Sequence, residues 1–539
     1  MVGVYTFVLF GLGLLRLGVV AQDIPETPTL DDVDAQLSAY LELIGNGTVP
    51  TATGGSQARS VTLPSGCDLA CGFLGFSLKG QISYPGSLEY QFGESQYWSV
   101  QQASNEPTCR FTPRSAIEVS LGVLTLRLAN CKFAVKSGGH AAFAGSSNID
   151  NGIAIDLAKL NQVTVSADKT QTSVGAGNVW YDVYKKLDPL GLSVIGGRVS
   201  AIGVGGLTLG GGVSFFSNRY GWACDNVNTY QIVLADGSIR EVTPSSLPDL
   251  YFALRGGGNN FGIVTRFDLN TFPQGKMWGG AQAFLYSPET AAGLNEAFNG
   301  LAINGHEDPY AQVILAYAYV QYADMYVISS DLQYGKPVVN PPMLQNFTAV
   351  QGTVVSDSLR IASLSELTVE LNNSNPGGYR QSYWTLTTGN SPTLMADIIA
   401  IYQEETNTVK DAAGLVSSLI FQPLGTNLAP LFARNGGNAL GIDLTKGPLM
   451  LLNIAISWSN ETDDTRILAA ARNMVNRSNT AAQAAGLGNA YLYQNYASAE
   501  QNVFGSYGAT NLAKLKAIRK KYDPSGVLQN LQPGYFKLG

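Results

Sequence analysis

The run 136–140, Lys-Ser-Gly-Gly-His, holds the residue types best suited to chemistry. His140 is one of only two histidines in 539 residues, and it follows a Gly-Gly pair behind the strand-like run 131–135. Glycines let backbone approach a ligand closely, so the turn would present the imidazole to a ligand instead of burying it in a sheet. A neutral imidazole is a competent nucleophile near neutral pH. The alternative is a turn histidine hydrogen-bonded to nearby backbone.

Three later segments complete a pattern. They read Gly-Val-Gly-Gly-Leu-Thr-Leu-Gly-Gly-Gly at 203–212, Tyr-Gly-Trp-Ala-Cys-Asp-Asn-Val at 220–227 and Gly-Gly-Gly-Asn-Asn-Phe-Gly-Ile-Val at 256–264. Together with the histidine turn they resemble the flavin-binding domain of the berberine-bridge-enzyme-like oxidases, in the PCMH-type (vanillyl-alcohol-oxidase) superfamily. The resemblance runs from about residue 67 to 272 and resumes near residue 491.

The resemblance implies an α+β fold of two lobes, a PCMH-type FAD-binding lobe and a substrate lobe built on an antiparallel sheet covered by helices. Mixed short strands and helices also indicate α+β. The expected division is a signal peptide (1–21), an N-terminal helix, linker and cysteine-containing segment (22–102), the FAD-binding domain (103–275), the substrate-binding domain (276–480) and a C-terminal segment returning to the FAD domain (481–539). Rossmann and P-loop sites are excluded, because no Gly-x-Gly-x-x-Gly opens a βαβ unit and no Gly-Lys-Ser/Thr run exists.

In the family, the histidine of this turn carries FAD covalently on the flavin 8α-carbon, which implies the same for His140. Lys136 stands where arginine is commoner. Some relatives add a second bond from a cysteine at the position of Val199, so a valine there predicts a single link. The resemblance nominates a set of further cofactor contacts, although any one of the glycines could be an ordinary turn or packing glycine: Ser137, Gly138, Gly139, Val199, Gly203, Gly205, Gly206, Gly210, Asn226, Gly262, Val264 and Asn495.

The catalytic residues are expected from two other places. A C-terminal strand over 491–496 would alternate, with Tyr491, Tyr493 and Asn495 on one face. The family's Tyr-x-Asn-Tyr pattern selects Tyr493 as base or substrate hydrogen-bond partner, and a base would need a lowered phenol pKa. The alternative is a core aromatic stripe. Gln422 would line the pocket from the substrate-lobe sheet.

These residues suit hydride transfer from an alcohol or amine carbon of a sugar or secondary metabolite to FAD, with O2 as acceptor and H2O2 as product. In relatives, the residue just before the Gly-Val-Gly-Gly run affects whether O2 reaches the flavin, with valine favouring and leucine hindering this reaction. Here that residue is Ile202, which favours neither outcome. The alternatives are a flavin-dependent dehydrogenase or oxidative cyclase that does not use O2, and a non-catalytic glycoprotein that keeps the fold.

The N-terminus and the cysteines indicate secretion. Residues 2–20 are nearly all apolar and end before a small-residue cleavage site, although Arg16 interrupts the run. Four cysteines are expected to form two disulfides with the pairing open, and Cys224 to be a buried free thiol. The four disulfide candidates are Cys67, Cys71, Cys109 and Cys131, and the Asn-x-Ser/Thr sequons for N-glycans are Asn46, Asn346, Asn372, Asn460 and Asn476.

The composition argues against nucleic acid as a partner and leaves a small-molecule substrate as the expected partner. The net charge of −7 and pI near 5.1 argue against a nucleic-acid groove. The second histidine, His306, lies in a turn-like run far from His140, and four of the five cysteines are expected to be oxidised. The sequence therefore offers few metal ligands, and no metal site is predicted. Periodicity predicts helices over 30–44, 113–130 and 465–485, a helix capped by Asn178, strands over 311–322 and 449–458, and a hairpin turning at Asp236-Gly237.

Overall fold

The structure is a computed structural model that describes residues 27–46 and 66–539. The predicted signal peptide and the predicted linker, residues 47–60, lie outside these residues. The helices of eight or more residues are Leu30–Asn46, Gly66–Ser77, Leu88–Ser95, Ala116–Leu128, Trp180–Leu187, Pro288–Asn304, Leu364–Asn373, Pro392–Asn407, Asp464–Ala484 and Ala509–Tyr522. None of the helices in this part of the chain is long and apolar enough to cross a membrane.

The first lobe contains two sheets. The smaller has the order Ile82–Ser83, Cys109–Phe111, Ile153–Asp156, Phe133–Lys136, and the last three strands are parallel. The larger is antiparallel, with the order Val163–Val165, Gln171–Gly175, Ile263–Pro273, Val227–Val233, Ile239–Val242, and Leu192–Val194 also pairs with the central strand. The strand Phe133–Lys136 ends directly at the histidine turn, so the smaller sheet positions His140.

Two disulfides fasten the helix Gly66–Ser77 to this smaller sheet. Cys71 is bonded to Cys109, the first residue of a strand, and Cys67 is bonded to Cys131, just ahead of the strand that leads to His140. The four-cysteine prediction is confirmed and the pairing is fixed. The bridges close segments of 38 and 64 residues, which in the chain-entropy description stabilises the fold by about 4 kcal/mol each. Cys224 is free and buried, as predicted.

The second lobe is a nine-stranded antiparallel sheet. Its main order is Val354–Asp357, Met277–Leu285, Met325–Tyr334, Ala311–Val320, Val416–Leu424, Leu449–Trp458, Arg380–Gly389, Gly488–Asn489, and Arg360–Ala362 also pairs with Met277–Leu285. Alternate residues face opposite sides. On one side, Val313, Leu315 and Phe421 pack in a core with the helices, whereas Ile314 and Ile420 face the first lobe. The two-lobed α+β fold is therefore as expected.

Most predicted elements are confirmed within a few residues. The helices over 30–44, 113–130 and 465–485 are observed as Leu30–Asn46, Ala116–Leu128 and Asp464–Ala484. The strand over 311–322 is Ala311–Val320, and the hairpin joins Val227–Val233 to Ile239–Val242 around the predicted turn. His306 is exposed after the helix Pro288–Asn304, where its Nδ1 lies 3.1 Å from the carbonyl oxygen of Ile303.

Two local predictions are wrong. Asn178 does not cap the helix Trp180–Leu187, because its amide donates back to the carbonyl oxygen of Gly175 at 2.9 Å. The run 491–496 is not a strand, since Gln494–Tyr496 forms a 3-10 turn. The turn breaks the alternation that the strand prediction assumed.

Candidate active site

A cavity of about 270 Å³ lies between the lobes. The first lobe contributes the histidine turn, the glycine run beginning at Gly203 and the loop 258–264. The sheet of the second lobe contributes cavity-facing side chains, and the C-terminal segment closes the remaining wall. The side chains from the second lobe and the C-terminal segment that the argument uses are Ile314, Leu371, Tyr383, Ile420, Gln422, Asn453, Tyr493, Gln494, Asn495, Tyr496 and Gln532.

His140 is held at the cavity wall by packing. Gly139 adopts φ +69°, and its carbonyl oxygen accepts the N–H of Trp98 at 3.0 Å. The Trp98 indole then stacks on the imidazole with ring centroids 4.3 Å apart and planes 12° apart. The imidazole Nε2 is shielded from solvent and has no hydrogen-bond partner. Burial lowers the pKa of His140 to about 4, so the ring is neutral and has a lone pair at physiological pH.

A buried ion network holds the strand that precedes this turn. Arg110 bonds to Asp156 at 2.7 Å and to Glu94 at 2.6 Å, and Lys136 lies 3.3 Å from Asp156. Burial alone would raise the pKa of Asp156, but Lys136 and Arg110 together hold it below its ordinary value. Lys136 does not line the cavity. Its ammonium therefore serves the network, and this is the role of the lysine found where arginine is commoner.

Two loops of the first lobe meet through backbone at Gly138 and Gly203. A Cβ on Gly138 would lie 2.4 Å from the backbone nitrogen of Gly203, and one on Gly203 would lie 2.2 Å from that of Gly138. Ser137 Oγ ties the loops further, donating to the carbonyl oxygen of Ala176 at 2.6 Å and accepting the N–H of Gly205 at 3.0 Å. Glycine is thus required at these two positions for packing of the chain against itself.

Gly206 differs from these glycines. It is exposed at the cavity, and a Cβ placed on it would have no atom within 4 Å. Nothing in the protein requires a glycine there, so the open space suits a bound group that approaches the backbone closely. Gly262 and Val264 also line the cavity, and Gly262 packs against the carbonyl oxygen of Val233.

Two predicted contacts lie outside the cavity lining. Gly210 is covered by the Asn495 side chain, whose Oδ1 would be 2.1 Å from a Cβ at that position. Asn226 is buried in a turn, where its amide donates to the carbonyl oxygens of Tyr220 and Trp222 at 3.0 and 2.8 Å. The remaining nominated residues, Val199, Gly139 and Gly205 among them, do line the cavity.

Tyr493 is placed at the cavity as predicted, but its surroundings do not suit a base. Its Oη accepts the N–H groups of Gly212 and Val213 at 3.1 and 3.2 Å and the Asn495 amide at 3.0 Å. Burial, with a smaller contribution from Tyr496, raises the pKa of Tyr493 well above its ordinary value, and these hydrogen bonds offset only part of that. The structure therefore gives no support to Tyr493 as a base at neutral pH, and it places the residue as a positioning group.

Gln422 belongs to a cluster that sequence reasoning missed. Arg198 Nη2 donates to Gln422 Oε1 and to Tyr496 Oη, the latter at 2.7 Å, and the Tyr496 hydroxyl lies 3.3 Å from Gln422 Oε1. Arg198 directly precedes Val199, so its position next to a nominated cofactor contact was the available signal in the sequence. Trp98 gave no signal, because its contact with His140 depends on the packing of distant segments.

Comparison with known proteins identifies the family. A profile described as an FAD binding domain matches residues 107–243. The chain is 37% identical to the FAD-dependent monooxygenase tpcD of Cochliobolus heterostrophus, over 93% of this chain and 98% of the relative. It is 30% identical to the bifunctional solanapyrone synthase of Alternaria solani, over 98% and 99%. The protein belongs to the PCMH-type family of FAD-binding oxidoreductases.

Solved structures share this family's fold. A berberine-bridge-enzyme-like protein of Physcomitrella patens matches with a TM-score of 0.69 at 20% identity, over 85% of this chain and 96% of that one. The glucooligosaccharide oxidase of Acremonium strictum matches with a TM-score of 0.68 at 20% identity, over 83% and 95%. That oxidase is described as carrying a 6-S-cysteinyl, 8α-N1-histidyl FAD.

The cavity of this family member fits FAD. Gly206 leaves open space beside the backbone, and several shielded polar atoms on the lining have no protein partner: His140 Nε2, Asn453 Oδ1, both amide atoms of Gln494, and Gln532 Oε1. Buried polar atoms are normally paired, so these atoms suit a polar ligand. Val199 offers no thiol, and Cys224 is buried outside the lining with its thiol pKa raised well above the ordinary value, chiefly by burial.

Proposed function

We propose that this protein is a flavin-dependent oxidase that removes a hydride from an alcohol or amine carbon of a small secondary metabolite, with O2 as electron acceptor and H2O2 as product. The observation that carries the proposal is the position of His140, a neutral imidazole in the cavity wall between the two lobes, opposite the sheet of the second lobe. Bound FAD supplies the hydride acceptor. The covalent link is proposed at His140 alone, since Val199 has no thiol.

The protein's own residues hold, orient and shield the reactants. His140 anchors the cofactor, with Trp98 fixing the imidazole plane by stacking. Tyr493 is held rigidly by its three N–H partners, so its ring forms a fixed wall, and Asn495 is held beside it. The Tyr496 ring packs against that of Tyr493 with centroids 4.7 Å apart, and Gln422 and Tyr496 together bind substrate oxygen or nitrogen. Lobes that pack on both sides of the cavity exclude bulk water from it.

The lining favours a secondary metabolite over a sugar. Ile314, Leu371 and Ile420 present aliphatic groups from the second lobe, which match an apolar ring system better than hydroxyl-rich saccharide. Relatives of 30% identity and more include the solanapyrone synthase and several FAD-dependent monooxygenases, while the saccharide oxidases share about 20% identity. The relatives' names also favour a second candidate, a monooxygenase that transfers one oxygen atom of O2 to the substrate and reduces the other to water, with a reduced nicotinamide as the two-electron donor.

One set of measurements tests these assignments. Acid precipitation of the purified protein should give a yellow pellet, and His140→Ala should give a colourless pellet. Anaerobic addition of candidate alcohols and amines, with xylobiose and glucose oligosaccharides as comparison, should bleach the flavin only for apolar metabolites. With ¹⁸O2, an oxidase forms peroxide equal to product and leaves the product unlabelled, whereas a monooxygenase labels the product. A flavin-free protein would contradict both candidates.

We also propose secretion with N-glycosylation. Asn346, Asn460 and Asn476 are exposed, and two disulfides suit an oxidising compartment. Asn372 is half-buried, and its Oδ1 accepts the N–H of Ala201 at 3.3 Å, so it is the poorest acceptor of these four. The side chain of Asn46, the fifth sequon, lies outside the described part of the chain. Expression in a secreting eukaryotic host, followed by endoglycosidase treatment and peptide mass spectrometry, should find glycans at the three exposed sites. Retention in the cytosol without glycans would contradict the proposal.

A further inference from the structure

Arg198 is the one charged side chain among the described residues that line the cavity. The residue is 8% exposed. Its hydrogen-bond partners are the neutral oxygens of Gln422 and Tyr496, and no carboxylate within residues 27–46 and 66–539 lies within salt-bridge distance of it. A buried charge is costly unless it is paired, and an arginine is normally paired with a carboxylate or phosphate when it is buried.

A carboxyl group on the same side of the sheet does not neutralise Arg198. Asp331 lies directly opposite Ile314 on the neighbouring strand, and Ile314 lines the cavity, so both side chains project from the face toward the first lobe. Asp331 is buried, and its Oδ1 has no hydrogen-bond partner. Burial, then repulsion from Glu370, raises the pKa of Asp331 to about 8 against the opposing effect of Arg198. The group is therefore mostly protonated at neutral pH.

The Arg198 guanidinium has N–H donors that are free to bind a ligand. Only Nη2 donates to the protein, while Nε and Nη1 make no hydrogen bond to any described residue. A guanidinium presents a planar set of donors that matches the two oxygens of a carboxylate or the oxygens of an acidic enol. Gln422 lies on the sheet of the second lobe and Tyr496 on the C-terminal segment, so the two bonds direct Arg198 toward the side of the cavity that faces that sheet.

We propose that Arg198 is a specificity-determining residue that selects substrates carrying an anionic oxygen, a carboxylate or an ionised enol or phenol, on an otherwise apolar skeleton. The inference rests on the proposed function, because it assigns the substrate class of the same cavity. Arg198 pairs with the anionic oxygen, while Ile314 and Ile420 contact the apolar part. No bond is made or broken in this step. The charge positions the substrate before the hydride leaves.

The test uses the holoenzyme and two inert probes of equal shape, 2-naphthoate and the neutral 2-naphthamide. Their dissociation constants are measured at pH 7 by calorimetry and by the perturbation of flavin absorbance. The naphthoate should bind about 10-fold or more tightly than the naphthamide, the range expected for a charged hydrogen bond. Arg198→Gln should abolish this preference, and Arg198→Lys should keep part of it.

Arg219→Gln is the matched control. Arg219 also donates to a glutamine Oε1 and a tyrosine Oη, those of Gln274 and Tyr220, but it lies outside the cavity lining. This variant should keep the full preference for naphthoate.

Several results would overturn the inference. Equal affinity of the wild-type enzyme for both probes would do so, and this comparison needs no variant to fold. An unchanged preference in Arg198→Gln would do so as well. A changed flavin spectrum or potential in that variant with unchanged probe selectivity would assign the charge to the cofactor instead. Failure of the proposed function is separate: the protein would then lack flavin or oxidise nothing, while calorimetry would still report the probe preference.

Discussion

Replacing Asp331 by asparagine should stabilise the protein, and the gain should grow with pH. Asp331 is buried, its Oδ1 is unpartnered, and burial raises its pKa from 3.8 to about 8. Between these two values the unfolded chain releases the proton while the folded chain keeps it. Fewer protons are then bound by the unfolded state, so the free energy of unfolding of the wild type falls as the pH rises from about 4 to about 8.

The size of the effect follows from the same two pKa values. Each pKa unit corresponds to about 1.36 kcal/mol, so the full window between the two pKa values corresponds to roughly 6 kcal/mol at most. Asparagine has the same shape as aspartate and cannot ionise, so the free energy of unfolding of Asp331→Asn should not fall over this pH range. At pH 8 its midpoint of thermal unfolding should lie about 10 °C above that of the wild type for a cooperative unit of this size. Near pH 4 the two midpoints should differ little.

The assay is a series of thermal scans at one scan rate from pH 4 to pH 8.5. Asp357→Asn is the control, because Asp357 is an exposed aspartate on a strand of the same sheet. Its midpoint should track that of the wild type at every pH. A difference between Asp331→Asn and the wild type that stays constant across the series would refute the reasoning. Asp331 would then already be ionised at low pH and paired with Arg198, and that arginine would no longer carry an uncompensated charge.

Four further outcomes are expected. His140→Ala should lose the covalent flavin seen by mass spectrometry of the tryptic fragment, and a wild-type fragment with only its amino-acid mass would contradict the link. Gly206→Ala should lower flavin incorporation, although alanine favours a helix over glycine by roughly 0.5–1 kcal/mol, whereas Gly300→Ala, in a helix with equally open space, should leave incorporation unchanged. Cys71→Ser should lower the free energy of unfolding by about 4 kcal/mol in chemical denaturation, and an unchanged midpoint would argue against the bridge. The preference for 2-naphthoate over 2-naphthamide should weaken above pH 8 as Asp331 ionises beside Arg198, and Asp331→Asn should remove that dependence.

The sequence was sufficient for the features that depend on local runs of residues. The histidine turn and the glycine-rich loops are contiguous runs, and the chemistry of these runs and of the four cysteines is specified by residue type. Long periodic helices such as Asp464–Ala484 were also predictable, since their apolar spacing is strong. These parts carry the fold and the position of His140 at the cavity wall.

The features that could not be predicted from the sequence depend on the register of strand pairing and on contacts between residues distant in the chain. Asp331 faces the first lobe only because of its pairing with Ile314, and a shift of one residue would turn it to the opposite side. Gly210 looks like its neighbours in the glycine run, yet the Asn495 side chain that covers it comes from the far end of the chain. The motif selected Tyr493, but the upward shift of its pKa is caused by burial, which the motif does not reveal.

The alternation of the nine-stranded sheet has an evolutionary consequence. Leu315 and Phe421 maintain the packing with the helices, whereas their chain neighbours Ile314 and Gln422 face the cavity. Mutation at the second set can therefore change which molecule is accepted while the first set keeps the scaffold intact. Such a sheet lets a lineage acquire new chemistry one side chain at a time without rebuilding its architecture.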